Sequence, residues 1–76
     1  MDISRYEIVI KRHALIRAME REITPDMIEA TIKAGKVKWF GKSNVKFTKE
    51  YKRFTVVCVD EVRGNMIKIV TIERRD

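Results

Sequence analysis

RHALIRAMEREITPDMIEATIKAG, residues 12–35, carries two helical patterns separated by a capping signal, and its reading decides the fold. At about 3.6 residues per turn, the first half splits into two faces. Leu15, Ile16, Met19 and Ile23 form an apolar stripe. His13, Arg17, Glu20 and Arg21 stand on the other side as i, i+3 and i+4 neighbours. The spacing predicts a helix that buries Leu15, Met19 and Ile23 against a sheet and turns the chain's only histidine outward beside two arginines.

Thr24 then offers a side-chain cap, Pro25 suits the first helical position, and Asp26 complements the helix dipole. Ile23 and Ile28 are spaced as a hydrophobic staple across that cap. Met27, Ile28, Thr31 and Ile32 give the second helix its buried stripe, and Gly35 is placed to end it. The stretch therefore reads as a helical hairpin.

Working outward, RYEIVIK at 5–11 alternates Tyr6, Ile8 and Ile10 against charged positions, which predicts a short edge strand. After Gly35 the period drops to two. KVKWF sets Val37 and Trp39 against lysines, GKS at 41–43 is a turn, and NVKFTKEY alternates Val45 and Phe47 with Lys46 and Thr48. RFTVVCV is apolar on both faces, as a central strand is. EVRGN at 61–65 reads as a hairpin turn, and MIKIVTIER closes the chain as a long strand. Trp39 and Phe40 are adjacent and point to opposite faces, so one belongs to the core and the other to a rim. The pattern predicts a single α+β domain over residues 1–76: a short N-terminal strand and a two-helix hairpin packed on a four-stranded antiparallel β-meander.

Composition bounds the function. The 76 residues contain 17 Lys and Arg against 11 Asp and Glu, a net charge of +6 that favours polyanionic partners. The charged fraction of 37%, with no glutamine and two asparagines, also resembles thermophile usage. No apolar run approaches the roughly 20 residues that span a bilayer, and the polar start lacks a signal-peptide core. These features predict a soluble, cytoplasmic protein with no membrane partner. A single cysteine, Cys58, leaves no intrachain disulfide and reads as a small buried hydrophobe. There is no phosphate-binding glycine loop, no nucleophile elbow and no paired-histidine metal site, so neither a metal nor a cofactor is expected.

His13 with Arg17 and Arg21 is the constellation that can carry chemistry. RNA cleavage through the ribose 2′-hydroxyl needs a base, an acid for the leaving oxygen, and positive donors for the phosphorane. Histidine serves acid or base work near neutral pH, and arginine forks match phosphate oxygens. The same residues also fit a solvated face on which Arg17 and Arg21 pair with Glu20, Glu22 or Glu7. Lys38, Lys46, Tyr51 and Arg53, in or beside the meander, are further candidates for contact with nucleic acid.

The run H-A-L-I-R-A-M-E-R-E-I-T-P-D-M-I resembles the opening of a family of small uncharacterised bacterial and archaeal domains. Those begin with a His-x-x-x-Arg helix, often with a second Arg four residues on, and end in a Val-Thr-Val-like strand, here Ile69-Val70-Thr71-Ile72. That family is similar to the RelE/ParE toxin superfamily, whose members pack N-terminal helices on an antiparallel sheet. The resemblance implies a metal-independent, RelE-like endoribonuclease or a ribonuclease-like fold, with His13, Arg17 and Arg21 at the matching positions. RNA or the ribosome would be the target, and an acidic antitoxin the protein partner. ParE-like relatives have the fold without nuclease activity, so a non-catalytic module binding protein or nucleic acid is implied as well.

Overall fold

The computed structural model describes residues 2–76. A 3-10 turn at Ile3–Arg5 leads into β1 (Glu7–Ile10), α1 (Arg12–Glu20), α2 (Pro25–Ala34), β2 (Lys36–Phe40), β3 (Asn44–Glu50), β4 (Thr55–Arg63) and β5 (Met66–Arg75). The α+β class is as expected. The sheet, however, is five-stranded and mixed, in the order β1-β5-β4-β3-β2, because β1 joins it parallel to β5. Strands β2 to β5 pair antiparallel in sequence order. The 61–65 turn proves shorter than its pattern: Glu61–Arg63 extend β4, and only Gly64 and Asn65 turn. Gly64 takes φ 58° at the first central position, where a tight hairpin calls for glycine.

One sheet face carries the core. Val45 and Phe47 of β3, Val56 and Cys58 of β4, and Ile67, Ile69 and Ile72 of β5 are all buried under the helices. Strict alternation would not keep Ile69 and Ile72 on one side. A β-bulge does so: Asp60 pairs with Ile69 and Val59 with Thr71, which leaves Val70 as the extra residue.

α1 presents a different stripe from the one its large residues suggest. Ala14 and Ala18 are its buried residues; Leu15 is half-buried, while Ile16 and Met19 are 48% and 59% exposed. Small side chains at the contact let the helix lie close against β5, and the bulkier apolar residues are rotated out of that narrow gap. The helix also stops early, at Glu20. Glu22 sits in the left-handed region at φ 62°, the Glu22 N–H donates to Met19 O, and the Ile23 N–H donates to Ala18 O. That is a Schellman ending with glutamate where glycine is usual.

The Thr24 cap forms as read, with Thr24 Oγ1 accepting from the Met27 N–H at 3.2 Å, and Ile23 and Ile28 are both buried. Gly35 ends α2 with an extended φ of −78°, so left-handed geometry is not its reason. A Cβ there would meet the carbonyl oxygens of Thr31 and Thr48, the latter at 2.7 Å. Glycine stands where α2 crosses into β2 because nothing larger fits. Neither Trp39 nor Phe40 enters the core: they are 51% and 40% exposed.

Asp60 is the anomaly of this interior. It is fully buried on the helix-covered face, and neither carboxyl oxygen has a hydrogen-bond partner among the described residues. Desolvation pushes its carboxyl up to about 7. Cys58, two residues earlier, has its thiol pushed up to about 12 by burial and by the Asp60 carboxylate.

Two predictions follow from these strained positions. Glu22→Gly should raise stability by about 0.5–1 kcal/mol in denaturant unfolding, since it relieves the left-handed backbone. For Asp60, the folded carboxyl binds its proton more tightly than the unfolded one. Its stabilising contribution is therefore complete below about pH 4 and lost as pH rises to about 7, on the order of 4 kcal/mol. Unfolding curves across this range should show that fall, and Asp60→Asn should flatten it.

Candidate active site

α1 does not lie over the middle of the sheet but along one half of one strand. β1 pairs only with Met66–Ile69 of β5, and Lys11 N–H closes that ladder on Ile69 O at 3.2 Å. The chain then turns into α1. From Val70 onward, β5 has no strand on that side, and its outward N–H and C=O groups need other partners. Arg21 supplies one: its guanidinium donates to Ile72 O at 2.8 Å. Arg74 reciprocates, donating to Arg21 O at 2.9 Å while its guanidinium lies 4.2 Å from the Phe54 ring centroid.

Between α1 and this open half-strand lies a cleft of about 340 Å³, lined by His13, Ala14, Arg17, Arg21, Val70, Thr71, Ile72 and Glu73. His13 and Arg17 of α1 and Arg21 at its C-cap, four residues apart in turn, thus border the same hollow. Ile72 O points outward to Arg21, and antiparallel alternation turns the Ile72 N–H to the same edge. The first turn of α1 has no side-chain cap at Lys11, so its early N–H groups remain open as well. Cationic side chains and outward amides are the donors that a phosphate group requires.

The two arginines differ. Among the described residues, neither Arg17 nor His13 makes a side-chain hydrogen bond or ion pair, whereas Arg21 is engaged with the β5 backbone. The alternative in which Arg17 and Arg21 pair with Glu20, Glu22 or Glu7 does not occur in the structure. Glu22 instead approaches Arg74, at 3.8 Å.

The other expected contacts lie elsewhere. Lys38 and Lys46 are register partners on the sheet face away from the helices, across β4 from the cleft. Tyr51 is taken up by α2: its hydroxyl donates to Met27 O at 3.0 Å, lies 3.3 Å from Thr31 Oγ1, and its ring stacks on Phe54. Arg53 belongs to the exposed connection between β3 and β4 rather than to a strand. None of the four shares the cleft with His13.

The cleft instead includes Glu73, which sequence reasoning passed over. Its partner is a distant one, Arg75 at 3.8 Å. The one available signal was a lone carboxylate in the closing TIERR run. Which strand edge it would border depends on the bulge at Val70, and no pattern announces that bulge.

Arg21→Gln should cost about 1–3 kcal/mol in denaturant unfolding, because Ile72 O loses its donor in a part-buried position. Arg17→Ala should stay within about 0.5 kcal/mol of the unsubstituted chain, as an exposed side chain without partners does.

No family model, curated protein or solved structure matches this chain, so the chemistry of the cleft rests on its own side chains.

Proposed function

We propose that this chain is a toxin-like, metal-independent domain that binds RNA and cleaves its phosphodiester backbone at the α1–β5 cleft. One observation carries the reading: the only histidine and two arginines border a single hollow, which Glu73 of β5 also helps to line. These are the groups that cleavage through the ribose 2′-hydroxyl needs.

In this reading Glu73 takes the 2′-hydroxyl proton, and the 2′-oxygen attacks phosphorus. The bond to the 5′-oxygen breaks, and His13 in its protonated form hands that oxygen a proton. The products are a 2′,3′-cyclic phosphate and a free 5′-hydroxyl. Arg17 offers its guanidinium to the non-bridging oxygens as charge builds on the phosphorane, supported by the Ile72 N–H. Arg21, held on Ile72 O, contributes positive potential and sets the cleft wall.

A second reading has a specific observation in its favour. Because Arg21 is committed to the fold, only Arg17 and His13 remain wholly available to a ligand, which suits phosphate binding without turnover. Affinity would then fall steeply with salt as counterions are released, with no cleavage to lose.

Incubating RNA with the protein in EDTA, with and without ribosomes, separates the two. The catalytic reading expects fragments ending in 2′,3′-cyclic phosphate. His13→Ala and Glu73→Gln should each slow their release by about 100-fold or more, and Arg17→Ala should do so while the protein stays folded. Salt-sensitive binding with intact RNA throughout supports the second reading. RNA left both uncleaved and unbound overturns both.

A further inference from the structure

We propose that the free edge of β2 accepts an extended acidic segment of another protein as a sixth strand of the sheet. β2 is the terminal strand on the side away from β1, and all five of its residues are exposed. Its backbone groups on the outer side have no partner in the sheet, which is the template that strand addition uses. Val37 and Trp39, on the helix-side face, are 38% and 51% exposed, and Phe40, on the other face, is 40% exposed. An edge merely guarded against pairing would not carry three exposed apolar residues among five.

Charge selects the occupant. Lys38 stands directly opposite Lys46, an unfavourable pairing of like charges on one face. Lys36 lies two residues along on that face, and Lys42 is in the adjoining turn. Among the described residues, none of these four lysines forms an ion pair. A strand with Glu or Asp at alternate positions would set carboxylates beside Lys36 and Lys38 and apolar side chains beside Val37 and Trp39. A second copy of β2 laid antiparallel would bring its own lysines to the same face and repel. A nucleic acid strand would use the lysines but leave the backbone edge and the Trp39 side unanswered. This edge is separated from the cleft by β3 and β4, so its occupancy does not depend on any activity at His13.

The test is an NMR titration of the 15N-labelled full chain with a ten-residue, end-capped peptide alternating Glu with Val and Tyr. Shift changes and slowed amide exchange should be confined to Lys36–Phe40 and its neighbours on β3, and should weaken with added salt. The double variant Lys36→Glu, Lys38→Glu should bind at least about tenfold more weakly. The milder Lys38→Gln, which asks less of the fold, should weaken binding about threefold. Unmoved β2 amides, or affinity unchanged in both variants, overturns the proposal. So does protection of the same amides by self-association, or their stronger perturbation by a single-stranded RNA oligonucleotide than by the peptide.

Discussion

The architecture depends on a strand that is only half partnered. β1 supplies four residues of parallel ladder to β5 and then stops, yet β5 runs on for six residues more. In a sheet interior those backbone groups would find another strand. Here a helix lies beside them, and a helix has no ladder to offer. The solution is a reciprocal clasp, in which Arg21 reaches from the end of α1 to Ile72 O and Arg74 reaches from β5 back to Arg21 O. Both are charge-assisted bonds, stronger than neutral ones, and the cationic groups sit favourably near the negative end of the helix dipole. Ala14 and Ala18 permit the approach that makes the clasp possible. The cleft is a by-product of this arrangement: wherever helix and open strand do not fill the space between them, His13, Arg17 and Glu73 border it.

Much of this was legible because it is local. The Thr24-Pro25-Asp26 cap, the stripe of α2 and the switch to a period of two after Gly35 each depend on residues a few positions apart, and each formed. His13 and Arg17 share a side of α1 by helix spacing, and Arg21 at the C-cap joins them through its bond to Ile72 O. What could not be read depends on partners distant in sequence. Whether Ala18 or Met19 faces the sheet turns on how near α1 approaches β5, which hydropathy does not encode. The pairing of Arg21 with Ile72 spans 51 positions. Tyr51 was a candidate for contact with nucleic acid from its place beside the meander; its hydroxyl is instead spent on the α2 backbone.

Asp60 shows a different tension. A chain of 76 residues buries a modest share of its surface and holds only a few kcal/mol in reserve, so an unpartnered core carboxyl is a large liability for it. Burial raises its carboxyl to about 7, so the group takes up a proton as pH falls below that point and sheds its buried charge. Cys58 is affected by the same neighbour. With its thiol held far above neutral pH, it is a poor nucleophile, and nothing in its surroundings argues for redox chemistry.

The bulge at Val70 gives β5 two phases. Up to Ile69 the odd-numbered positions belong to the core; beyond it the even-numbered ones do, with Ile72 buried and Arg74 turned toward Phe54. Val70 therefore works like a frameshift that restores the reading frame of the fold. Losing Val70 itself would straighten the ladder and leave every later residue on its present face, with Ile72 still inward. Losing a residue elsewhere in the strand would exchange the faces of everything after it. Here a single extra residue lets the second half of the longest strand agree with the first.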